Sequence, residues 1–163
     1  MYMHHMKPPT GLTAESAPPL DPEALVQVCL CHHVRRAARA ISRVFDEALA
    51  PTGLRASQFN ILAVIGARDS RTAAEAALLL AMDRTTLSRN LKPLREAGYI
   101  TAEGGAGRRP DALVLTITGQ AVFARAALLW RQAQSGLTQG LGAGQAGTLL
   151  QALEAAARVA AQQ

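Results

Sequence analysis

Between Pro22 and Ala50 the apolar residues Leu25, Val28, Val34, Ala38, Ile41, Phe45 and Leu49 recur mostly at three- and four-residue steps. That spacing predicts one long helix with a single buried stripe, started by Asp21 as N-cap with Pro22 in the first turn. Pro51 and Gly53 end it. A second helix is expected from Ser57, a plausible cap, to about Ala67, with Phe59, Leu62 and Ile65 inward. "RDSRT" reads as a polar turn, and Thr72 caps a short helix, "AAEAALLLAM", with Glu75 at the capping-box position. Asp83 then caps "RTTLSRNLKPLREA", in which Leu87, Leu91 and Leu94 fall on one side, and Gly98 stops it.

After Gly98 the period changes from helical to alternating. "YITAE" and "ALVLTIT", separated by "GGAGRRPD", read as a two-stranded hairpin with an arginine-bearing tip. Helical periodicity resumes from about Gly119 to about Leu141 and again in "AGQAGTLLQALEAAARVAAQQ". The fold class expected is therefore mostly α, a winged helix-turn-helix flanked by further helices. Residues 1–20 form a flexible arm, 21–50 a dimerisation helix, 51–118 the winged helix-turn-helix and 119–163 C-terminal dimerisation helices. The outer helices are too apolar to stand alone around so small a middle section, which predicts a homodimer.

The polar face of the helix after Asp83 changes the picture from fold to function. Thr85, Ser88, Arg89, Lys92 and Arg95 spread over the side opposite the leucines. From Arg84 to Arg109 there are six basic residues against Glu96 and Glu103, while the whole chain has 17 basic and 12 acidic residues. Most of the formal charge of +5 thus sits on one helix and its hairpin. Hydroxyls mixed with arginines can donate to phosphates and base edges, and a helix fits the major groove of B-DNA. Pro93, inside this helix, removes the N–H that would bond the Arg89 carbonyl.

The segment from Leu54 to Gly119 resembles the MarR family of bacterial transcriptional regulators. The text that carries the resemblance is "GLRASQFNILAVI", "TAAEAALLLAMDRTTLSRNLKPLREAGYI" and "GRRPDALVLTITGQAV". By position the resemblance implies base and phosphate contacts from Arg84, Thr85, Thr86, Ser88, Arg89, Asn90 and Lys92, joined by Arg95 on the same face, and contact at the wing from Arg108 or Arg109. It also implies a homodimer on a pseudo-palindromic operator, acting as a repressor governed by a small molecule.

Two clusters are candidates for sensing. Arg35, Arg39 and Arg43 lie four apart with His32 just before them. Like charges at that spacing cost a few tenths of a kcal/mol per pair unless answered. The answer is Asp46, Glu47, a residue of a second copy, or an acidic or aromatic effector, for which Phe59 is a further candidate contact. Cys29 and Cys31 point about 200° apart on a continuous helix and cannot bond each other without unwinding it. Cys29 and His33 share a face, and two copies could supply four zinc ligands or an intersubunit disulfide; the alternative is that both thiols pack as small apolar residues. No resident cofactor is expected.

Enzyme function is not expected: the chain has no phosphate-cradling glycine loop, no paired carboxylates in an apolar setting, and no nucleophile with a base and an orienting group. An architectural winged-helix protein that binds DNA without sequence preference is the remaining alternative to a regulator. No run of about eighteen apolar residues exists to span a bilayer. The N-terminal text, with prolines and histidines where a secretory signal would be apolar, points to the cytoplasm.

Overall fold

The computed structural model describes residues 21–67, 71–104 and 112–162. The expected arm, part of the "RDSRT" turn, and the hairpin tip with Arg108, Arg109 and Asp111 lie outside the described residues. Seven α-helices are described: α1 (Pro22–Val28), α2 (Leu30–Leu49), α3 (Ala56–Gly66), α4 (Ala73–Leu79), α5 (Arg84–Glu96), α6 (Ile117–Leu141) and α7 (Ala143–Ala160). The strands β1 (Arg71–Thr72), β2 (Ile100–Glu103) and β3 (Ala112–Leu115) form one antiparallel sheet in the order β1-β3-β2. Thr101 lies opposite Val114 and Thr72 opposite Ala112. The chain divides into two compact units, Ser42–Leu137 and the residues on either side of it.

The expected first helix is two helices. Cys29 is extended (φ −74°, ψ 108°); its N–H bonds the Leu25 carbonyl while its own carbonyl accepts from His33. His33 Nε2 donates to the Gln27 carbonyl at 2.9 Å, joining the end of α1 to the start of α2. In the single chain the expected stripe is largely open: Val28 is 79% exposed, and of the seven residues only Leu49 is buried.

Ser57 does not cap α3. The helix starts at Ala56 after Arg55 as N-cap; Asp46 Oδ1, from the preceding helix, accepts from the Ala56 N–H at 2.7 Å, and Gln58 Oε1, from the first turn of α3, accepts from the Arg55 N–H at 2.9 Å. The "RDSRT" turn also yields a strand, β1, because its backbone completes the free edge of β3. Further along, Ile117 belongs to α6 and not to the preceding strand, since Thr116 caps that helix: its Oγ1 accepts from the Gly119 N–H at 2.9 Å.

The core of the Ser42–Leu137 unit joins Leu49, Leu54, Ile61, Leu62 and Ile65 to the leucines of α5, Ile100, Leu113 and Val122. Phe59 is stacked on Phe123 and Trp130 at centroid distances of 5.2 and 6.1 Å. The first turn of α6 closes on the strand that follows α5. Thr116 Oγ1 donates to the Gly98 carbonyl at 2.6 Å, and the Thr116 N–H to that of Tyr99 at 3.0 Å. A Cβ at residue 119 would fall inside the Tyr99 carbonyl group, 2.8 Å from its carbon.

Two helix ends share one geometry. At the end of α5 the Tyr99 N–H bonds the Leu94 carbonyl and the Gly98 N–H that of Arg95; at the end of α4 Met82 bonds Ala77 and Ala81 bonds Leu78. Both are Schellman motifs, which need a left-handed residue. Gly98 (φ 70°) fills one, whereas Ala81 (φ 49°) fills the other under strain. Ala81→Gly should therefore raise stability by about 1 kcal/mol, and Gly119→Ala should lower it by at least about 2 kcal/mol because backbone must move. Urea unfolding of both variants checks this, and a neutral Gly119→Ala would refute the close approach.

Candidate nucleic-acid interface

The segment α4–α5 is built to hold one helix face outward. Thr72 and Glu75 form the expected capping box on α4: Thr72 Oγ1 accepts from the Glu75 N–H at 3.2 Å, and Glu75 Oε2 accepts from the Thr72 N–H at 2.8 Å. The left-handed turn at Ala81 leads directly into Asp83, whose Oδ1 accepts from the Thr86 N–H at 2.8 Å and starts α5. Leu87, Leu91 and Leu94, each at most 2% exposed, seat α5 in the core. The helix continues through Pro93, whose carbonyl accepts from the Ala97 N–H at 3.0 Å.

The arc that begins at the edge of the leucine stripe and runs round to its far side holds Arg84, Arg95, Ser88, Lys92, Thr85 and Arg89, all exposed. At 100° per residue they span an arc of about 140°. The side chains of Arg84, Thr85, Ser88, Arg89 and Arg95 have no hydrogen-bond or ion-pair partner among the described residues. Lys92 approaches Glu96 at 3.9 Å, with both side chains exposed, a pair worth at most a fraction of a kcal/mol. Arg84, Ser88 and Arg95 also line a depression of about 400 Å³ between the first turn of α4 and α5.

Two of the residues singled out from the sequence are already engaged inside the helix. Thr86 Oγ1 donates to Asp83 Oδ2 at 2.6 Å, and Asn90 Nδ2 donates to the Thr86 carbonyl at 2.8 Å. Asn90 borders the leucine stripe and Thr86 lies between it and Arg89, and the polar atoms of both hold α5 in shape. Arg108 and Arg109 fall outside the described residues.

The sensing candidates separate. Phe59, 6% exposed, is a core residue. Arg35, Arg39 and Arg43 are exposed on α2 and His32 is half-buried; the three arginines have no ion-pair partner among the described residues. Asp46, a candidate answer to that charge, is used instead on the Ala56 N–H. Cys29 is half-buried and Cys31 exposed, both as free thiols. Among the described residues no group of three histidine, cysteine or acidic side chains is placed to hold a metal ion, and no helix is long and apolar enough to cross a membrane.

The sequence pattern of the MarR family matches residues 52–109, the stretch that contains α3, α4, α5 and β2. A solved structure of the Mycobacterium tuberculosis transcriptional regulator MosR in complex with DNA is 38% identical to this chain, covering 78% of it and 98% of MosR, with a TM-score of 0.66. The chain belongs to the MarR family. Members of this family are DNA-binding transcriptional regulators and not enzymes. The transcriptional repressor CouR, solved on a 23-mer DNA duplex, is 27% identical over 86% of this chain and 99% of its own, with a TM-score of 0.75; CouR has also been solved with p-coumaroyl-CoA. An uncharacterised helix-turn-helix regulator of Bacillus subtilis, YwoH, is 31% identical over 87 residues, which span 53% of this chain and 64% of YwoH. The six-residue arc on α5 lies within the stretch that matches the family pattern.

Asp83 decides how firmly that arc is presented. The Thr86 hydroxyl, and then the Thr86 backbone N–H, hold its carboxyl below the ordinary carboxylate range. A lowered folded value means the cap is complete above the unfolded aspartate range and is lost as pH falls through the folded value. The Thr86 amide resonance should therefore titrate with a midpoint below that of an unstructured aspartate, and Asp83→Asn should abolish the titration while keeping the cap. A midpoint at or above the ordinary range would show that the bonds do not form in solution.

Proposed function

We propose that this chain is a homodimeric repressor that recognises a pseudo-palindromic operator through α5 and releases it when a small acidic or aromatic molecule binds. The observation that carries the reading is the arc of unpartnered arginine and hydroxyl side chains on a helix capped at both ends. A second copy is supported by the unit outside Ser42–Leu137, in which no described residue is buried and Leu30, Leu150 and Val159 are 79%, 58% and 59% exposed. Such a unit has no core until another surface covers it. The relatives solved on DNA support the duplex partner, and CouR with p-coumaroyl-CoA supports an acidic effector. DNA recognition of this kind is work for the cytoplasm.

The test is binding to a duplex selected from a random pool by the wild-type protein. A regulator should prefer that duplex over random DNA by roughly a thousandfold or more at physiological salt, and Arg89→Ala should lose about 1–3 kcal/mol of that discrimination while remaining folded. An architectural protein would show salt-sensitive binding with no preference.

A second reading, response to thiol oxidation, is favoured by the helix break at Cys29. The extended backbone there frees Cys29 from the rigid two-residue relation that a continuous helix would impose on Cys31. With a hydroperoxide as oxidant, one thiolate attacks the O–O bond to give a sulfenic acid and water or an alcohol. A second thiol then displaces water to form a disulfide. Mild peroxide should weaken duplex binding by wild type and leave a Cys29→Ser, Cys31→Ser variant unaffected; equal responses would exclude the thiols.

A further inference from the structure

Four arginines of α2, Arg35, Arg36, Arg39 and Arg43, together with His32 occupy an arc of about 100° at 100° per residue. The apolar residues Leu30, Val34, Ala38, Ile41 and Phe45 centre about 155° away. This basic face is therefore turned away from the apolar stripe. From Arg35 to Arg43 it extends over about two turns, about 12 Å. All four arginines are exposed and have no ion-pair partner among the described residues.

The acidic groups close in sequence do not answer the charge. Asp46 accepts from the Ala56 N–H and forms no ion pair with these arginines among the described residues, and Glu47 with Asp46 borders only the Arg43 end, in an open depression of about 430 Å³ that Arg55 also lines. Keeping such a line of like charges costs a few tenths of a kcal/mol per i, i+4 pair.

We propose that this face of α2 binds the phosphate backbone of duplex DNA without reading its sequence, as a contact surface additional to α5. Resting on the DNA-binding reading above, it extends that reading to a second element. The form of the face selects the partner. A small anion is normally held in a concave site that buries most of its surface, whereas Arg35 and Arg39 stand on the exposed side of a helix. Arginines rising about 6 Å per step along a convex rod match a linear polyanion, whose charges repeat along its axis.

The experiment compares the full-length wild type with Arg35→Gln/Arg39→Gln/Arg43→Gln on a random-sequence duplex of about 30 base pairs across a salt series. Glutamine keeps helix propensity, and circular dichroism confirms folding. Loss of three phosphate contacts should reduce the log–log salt slope by about 2 to 3, with discrimination between selected and random duplex retained, and the matching lysine variant should restore the slope. An unchanged slope overturns the proposal, including the case in which the glutamine variant instead loses a response to coenzyme A or another phosphorylated small molecule. Arg89→Ala tests the α5 reading separately, since it should reduce discrimination and leave the α2 part of the slope. Wild type that binds no duplex at low salt would overturn both.

Discussion

The close approach of residue 119 to the Tyr99 carbonyl is the contact on which the placement of α5 depends. Only a residue without a Cβ lets the first turn of α6 lie against the strand that leaves α5. Thr116 completes that seam by capping α6 with its lone pair while donating its hydroxyl proton to Gly98. The C-terminal end of α5 is thereby tied to α6, and its N-terminal end is set by Asp83. A helix held at both ends can keep six polar side chains aimed at a partner without those side chains having to hold it in place.

That division of labour runs through α5 residue by residue. Thr86 and Asn90 belong by sequence to the same polar run as Thr85 and Arg89, yet their hydrogen bonds turn inward to the helix itself. Arg84, Thr85, Ser88, Arg89 and Arg95 remain free for a ligand because the cap and the leucines do the structural work. Pre-organisation of this kind lowers the ordering cost of binding. The strain at Ala81 sits in the turn between α4 and α5, where it costs stability and leaves the exposed arc intact.

The two compact units differ in how complete they are. Ser42–Leu137 has a continuous core with stacked aromatics, whereas the other unit has no buried residue among those described. The bend at Cys29 and the unanswered arginines of α2 both lie on helices whose apolar sides are largely open in a single chain. These features are where partners, a second copy first, have most to contribute.

The legible parts were those whose partners lie within a few residues. The capping box of Thr72 and Glu75, the Asp83 cap, the Gly98 stop and the leucine stripe of α5 all follow from groups three or four positions apart, because helix geometry brings those together without help from the rest of the fold. The MarR-like order of elements was legible for the same reason. Pairings between distant residues were not: Asp46 caps α3 from ten residues away, Thr116 reaches Gly98 across eighteen, and β1 exists only because β3 supplies its partner. Whether a polar side chain on a helix faces a ligand or bonds its own backbone is likewise decided only in the folded chain. Sequence spacing specifies a face, whereas tertiary packing decides which hydrogen-bonding groups on that face are already taken.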